Sequence, residues 1–122
     1  MNEPVAYSPK SASLAALLRR NQDQIIARWA EMAHNLSGTP YAAYPVAEIR
    51  SWLSRGVLQA IETLSTGSYE PTEAYLRDIS LSHLRMGFDI SAVSQVLLLF
   101  RDAALPAIRQ ASASLAPGIS PS

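Results

Sequence analysis

The chain is predicted to be all-α, an antiparallel four-helix bundle. Apolar residues recur at intervals of three and four over four successive stretches, the spacing that lines one face of a helix. No stretch alternates apolar and polar residues as a half-buried strand would. Most glycines and prolines fall between the periodic stretches; Gly56 and Pro106 lie within them.

The first helix is expected over about residues 13–36. Leu14, Leu18, Ile25, Trp29, Met32 and Leu36 form its stripe, and Gly38 is a plausible stop. The second begins at Pro45, a residue favoured in a first helical turn, and Gly67 ends it. Between them run Val46, Ile49, Leu53, Val57, Ala60, Ile61 and Leu64. The third begins at Pro71, with Glu73 placed at the positive end of the helix dipole and Tyr75, Leu76, Ile79, His83 and Met86 on one face. The fourth begins near Ile90, with Val93, Val96, Leu97, Phe100 and Ala104 as its stripe. Pro106 is expected to kink or break it, leaving a short fifth helix to about Ala113. Residues 1–12 read as a flexible arm, 13–113 as one helical regulatory domain, and 114–122 as a linker-like tail.

The corner between the third and fourth helices has the most specific local chemistry. Gly87 suits a left-handed residue just past a helix end. Asp89 suits an N-cap. Phe88 and Val93 flank that cap at the spacing of a hydrophobic staple.

With 122 residues, 48% apolar and 16% charged, the chain has material for one modest core. Ten acids balance ten bases, which argues against binding to nucleic acid or an anionic membrane. Without cysteine, a disulfide framework, a zinc-thiolate site and a cysteine nucleophile are excluded. The longest strictly apolar run, residues 96–100, is too short to span a bilayer, and the amino terminus lacks a signal-peptide pattern, so a cytoplasmic location is expected.

No constellation suggests one catalytic chemistry, and no enzyme is expected. His34 reads as a solvated surface residue. His83, at the edge of an apolar face, reads as a hydrogen-bonded core-edge residue; the alternative is a contact to haem or another small molecule in a pocket with Trp29, Tyr75 and Phe100. No partner residues stand near it in the sequence to form a metal site, and no cofactor is expected, with haem the alternative to test. Asp78 and Arg85, seven residues apart, are candidates for an ion-pair network or a partner contact. Leu81 and Leu84 on the third helix, and Leu98 and Leu105 on the fourth, point away from the main stripes. Scattered surface leucines are normal, but these four also make a candidate homodimer interface.

Two stretches resemble a known family. The run Leu-Leu-Arg-Arg-Asn-Gln-Asp-Gln-Ile-Ile-Ala-Arg-Trp over 17–29 is similar to the opening of the RsbRD-type N-terminal domain. That domain is the input module of RsbR-like co-antagonists in bacterial stressosomes and of some sensor histidine kinases. The later stretch Leu84 to Val93, followed by Leu99-Phe100-Arg101, resembles the family's second landmark, an Arg and a Gly before the last helix and an aromatic–Arg pair within it. Pro106 and the Pro-rich segment 40–45 depart from the pattern. The resemblance implies a globin-related but haem-free, non-enzymatic module. Such a module dimerises and passes a conformational signal to a downstream STAS or kinase domain, with Arg85 and Arg101 as candidate polar contacts.

Overall fold

A computed structural model describes the backbone of residues 9–115 and the side chains of residues 12–110. Within them the chain is helical and has no strand. The order is α1 (Pro9–Arg20), α2 (Gln22–His34), a 3-10 turn (Pro40–Ala43), α3 (Val46–Thr66), α4 (Glu70–Arg85) and α5 (Ile90–Leu115).

Two expectations about helix boundaries need correcting. The predicted first helix is two helices, broken at Asn21, whose φ of −108° and ψ of 15° lie outside the helical well. The Asn21 amide side chain donates to the Leu17 carbonyl at 2.9 Å, and the Asn21 backbone N–H donates to the same carbonyl at 3.1 Å. A short polar side chain that competes for its own helix's carbonyls in this way interrupts the regular ladder. Helix α1 also begins at Pro9, inside the predicted arm; residues 1–8 of that arm lie outside the described residues.

The second correction concerns Pro106. No short fifth helix follows it, because α5 runs unbroken through it to Leu115. Proline removes one backbone bond and crowds the preceding turn, at a cost of about 3 kcal/mol. Ala103 and Ala104 before it and Ala107 after it are all buried, so α5 stays docked on both sides of the defect. The remainder of the predicted tail, residues 116–122, lies outside the described residues.

Helix α3 is the centre of the packing, with α1, α2 and α4 against it, while α5 lies chiefly on α2. Its buried stripe is Ile49, Leu53, Gly56, Val57 and Ile61. Ile25, Ile26, Trp29, Ala30 and Ala33 of α2 and Val93 and Val96 of α5 belong to the same continuous core. The α2–α5 contact is fixed by Trp29, whose indole N–H donates to the Val96 carbonyl at 2.7 Å and whose ring lies 5.1 Å from that of Phe100.

Helix α4 buries a narrower stripe, Tyr75, Ile79 and His83, one residue per turn. Polar contacts hold it along α3. The Thr63 and Thr72 hydroxyls meet at 2.7 Å, Thr72 donates to the Gln59 carbonyl at 3.3 Å, and Arg55 pairs with Asp78 at 2.9 Å. Gly67, with φ of 77°, closes α3 in the left-handed conformation, its N–H bonded to the Thr63 carbonyl.

Over Ile90–Gln110, α5 is long and apolar enough to cross a membrane by length and composition, and 33% of that stretch is buried in the bundle. The unbroken run 96–100 understates this, because the composition of the whole helix meets the criterion.

At Gly56, α3 and α4 approach closely. A methyl group on Gly56 would stand 2.7 Å from the Tyr75 ring, whose hydroxyl donates to the Trp52 carbonyl at 3.3 Å. Gly56→Ala gains roughly 1 kcal/mol of helix propensity but forces apart a ring that is hydrogen-bonded in place. The expected net result is a loss of about 1–2 kcal/mol, read as a lower urea midpoint; a gain in stability would mean that α4 is free to shift.

Candidate functional site

Five rings gather where α3, α4, the 3-10 turn and the α4–α5 corner meet: Tyr41, Tyr44, Trp52, His83 and Phe88. His83 is 2% exposed and Tyr41 1%. The Tyr41 hydroxyl lies 2.6 Å from His83 Nδ1, in a fully buried contact. We assign the phenol as donor to the imine nitrogen, which leaves the ring proton on Nε2. The rings pack edge-on or tilted, with His83 4.8 Å from Trp52, 5.0 Å from Phe88 and 5.5 Å from Tyr41 between centroids. These are favourable aromatic geometries.

Each member is delivered by a local rule. Pro40 starts the 3-10 turn that turns Tyr41 inward, and the Tyr41 carbonyl accepts from the Tyr44 N–H at 3.2 Å. Tyr44 carries its ring to Trp52, at 5.1 Å, and to Phe88, at 5.6 Å. His34, expected to be solvated, is instead half-buried at the end of α2, and its Nδ1–H donates to the Tyr44 carbonyl at 2.9 Å. A histidine at a helix end near an unpaired loop carbonyl is better placed as a tether than in water.

The α4–α5 corner completes the cluster. Gly87 has φ of +95°, the Gly87 N–H donates to the Leu84 carbonyl at 3.1 Å, and the Phe88 N–H donates to the His83 carbonyl at 3.0 Å. This is the Schellman pattern, and the apolar contact it usually carries falls here between Phe88 and His83. Asp89 then caps α5, its carboxylate accepting from the Ala92 N–H at 2.8 Å. Phe88 and Val93, on either side of the cap, are both buried. One glycine thus sets the helix end, the Phe88 ring and the wall around His83.

Burial moves both titrating groups away from charge. Desolvation holds His83 below the usual histidine value and pushes the Tyr41 phenol well above the usual tyrosine range. Tyr75 is raised for the same reason first, then by Tyr41, with Arg55 acting the other way from 5.9 Å over its ring. The pair is therefore neutral around pH 7, suited to holding a turn against a helix end.

The predicted pocket residues fall into three sets of contacts rather than one. Trp29 and Phe100 pair with each other between α2 and α5, Tyr75 rests on Gly56 of α3, and His83 belongs to the five-ring cluster. Tyr41 and Tyr44 escaped the sequence reading. Their signal was two tyrosines bracketed by Pro40 and Pro45 in a segment without periodicity.

Of the candidate polar contacts, Asp78 pairs with Arg55 of α3 rather than with Arg85, and Arg101 lies 3.7 Å from its neighbour Asp102. Arg85 has no ion-pair partner among the described residues. Leu81, Leu84 and Leu98 are 47%, 41% and 75% exposed, whereas Leu105 is half-buried. A shallow open depression on α4 is lined by Asp78, Leu81, Ser82, Arg85 and Met86. Among the described residues, no three His, Asp or Glu gather as a metal site would require.

Comparison with protein-family models, with curated proteins and with solved structures finds no match for this chain.

Two outcomes test this geometry. Below its ordinary value of about 6.5, an unfolded histidine takes up a proton that buried His83 resists, so the unfolded state binds more protons. Stability is then complete above pH 6.5 and falls as the pH drops toward the lower folded value. The urea midpoint should fall between pH 7 and 5, and the fall should shrink in His83→Gln; an equal slope in both proteins would move the effect elsewhere. Separately, Gly87→Val forces a β-branched residue to positive φ and should cost about 1–3 kcal/mol. An unchanged melting temperature would mean that the corner relaxes without penalty.

Proposed function

We propose that this chain is a non-enzymatic, cytoplasmic input domain of a bacterial signalling protein. It forms a homodimer and passes a conformational change to a downstream STAS or kinase domain or to a partner protein. The observation that carries the reading is the exposure of leucines on α4 and α5, Leu81, Leu84 and above all Leu98. A monomer gains nothing from a leucine in water at such a position, whereas an association face does.

Three further features support it. The stretches that resemble the RsbRD-type domain fall on structural hinges: residues 17–29 cross the Asn21 break, and 84–93 form the Gly87 corner. Both are places where a small local change redirects a whole helix. The antiparallel, globin-related arrangement implied by that resemblance belongs to the same proposal. His83 is 2% exposed and packed among the rings of Tyr41, Trp52 and Phe88, which favours a structural over a catalytic or haem-ligating role. Arg101 and Asp102 stand midway along the apolar stretch of α5, where hydrocarbon would exact several kcal/mol for charge, which favours a packed helix over a membrane span.

Native mass spectrometry of the full chain tests the reading. The expected result is a dimer with no added mass, converted to a folded monomer by Leu98→Asp. A monomeric parent protein would remove the dimer from the proposal. Bound haem or another small molecule would replace the reading with a ligand-binding sensor.

A further inference from the structure

We propose that the exposed side of α4 is a self-complementary surface that pairs antiparallel with α4 of a second copy of this chain, Asp78 of each copy meeting Arg85 of the other. The inference rests on the dimer reading above but places the centre of the contact on α4 rather than at Leu98 of α5.

The four residues Asp78, Leu81, Ser82 and Arg85 are spaced three, four and seven apart, which places them on one face of the helix, and together with Met86 they line the open depression. The acid and the base stand two turns apart, about 10 Å along the axis. A two-fold axis between positions 81 and 82 brings 78 of one copy opposite 85 of the other, and does so twice, since an isologous contact repeats every pair. The same axis sets Leu81 of each copy against Ser82 of the other at the centre, with an ion pair on either side. A parallel pairing would oppose Asp78 to Asp78 and Arg85 to Arg85, so the charges themselves select the antiparallel register.

The groups are free to take these roles. Arg55 Nη2 holds Oδ2 of Asp78, and both side chains remain about half exposed, at 51% and 53%, so the second carboxylate oxygen is open to another donor. Arg85 is exposed and has no ion-pair partner among the described residues. The acid and the base cancel in formal charge, which fits a second copy better than a strongly acidic or basic partner.

A charge-swap series on the full chain tests the pairing. The unaltered full chain is measured first; the swap series then carries Arg55→Gln, so that no intramolecular pair competes, with dimer dissociation read by sedimentation and near-UV circular dichroism checking that α4 stays docked without the Arg55 contact. Arg85→Asp and Asp78→Arg each oppose like charges at both symmetric contacts and should weaken the dimer by roughly tenfold or more; Arg85→Gln should weaken it less. The double variant Asp78→Arg/Arg85→Asp restores both pairs with reversed sign and should return to within about threefold of the parent. Single variants that dimerise as the parent does, while Leu98→Asp still yields monomer, would overturn the α4 surface and leave the dimer reading standing on α5. A double variant no tighter than the singles would overturn the Asp78–Arg85 pairing itself. An unaltered chain that is monomeric would overturn both.

Discussion

The hydrogen bond between Tyr41 and His83 joins two parts of the chain that share no regular element. Tyr41 sits in a 3-10 turn between prolines, and His83 sits in the last turn of α4. The segment 35–45 has no helix long enough to hold itself in place, and its attachment to the bundle runs through this bond, the ring contacts around it and the His34–Tyr44 tether. A buried hydroxyl or imidazole without a partner costs about 1–3 kcal/mol. The two groups therefore constrain each other: removing either leaves the other stranded in an aromatic shell. Because Phe88 is part of that shell, the geometry of the α4–α5 corner and the position of the turn are one problem rather than two.

That coupling bears on how a helical domain could switch. The core along α3 is dense and uniform, with Ile49, Leu53 and Val57 sealed from solvent, and close-packed interiors resist gradual deformation. The polar and glycine-containing joints are different. Asn21 interrupts the predicted first helix, Gly87 ends α4 at positive φ, and Pro106 deletes a backbone bond within α5. Each relieves one helix of a constraint that its neighbours keep. Motion of α4 relative to α3 would have to break the Thr63–Thr72 and Arg55–Asp78 contacts and slide the Tyr75 ring off Gly56. Helix α4 buries only one residue per turn, so its attachment depends more on these contacts than on apolar area.

Most of the helical framework was legible in the sequence because it follows from periodicity. The stripe of α3 from Val46 to Leu64 and the Gly67 stop need only the 3.6-residue repeat and a left-handed glycine, and Gly87 and Asp89 follow from capping chemistry alone. The failures lie where a single side chain overrides that pattern. Asn21 sits within an otherwise apolar-periodic run, and its interruption depends on an amide reaching one carbonyl, which periodicity does not register. Pro106 signals a break on local grounds, yet packing of Ala103, Ala104 and Ala107 outweighs it. In the candidate site, His83 was visible as a core-edge residue, but its partner was not. Tyr41 lies 42 positions away in a segment without a period, and no rule of spacing connects the two.

The narrow stripe of α4 explains why its outer side has consequences. A helix that buries one residue per turn presents most of its circumference to solvent, and on this one the solvent side carries Leu81 and Leu84 as well as charge. Were the helix merely a cover for the core, polar residues at those positions would serve equally well and would protect against aggregation. The proposed pairing would use these leucines for apolar area and Asp78 and Arg85 to fix its direction. In the proposed dimer the α4–α5 corner would have a second role. By locking the end of α4 through the Schellman bonds to His83 and Leu84, it holds Leu84 and Arg85 in helical register up to the last turn, where an unfastened helix would fray and lose the spacing on which a two-fold pairing depends.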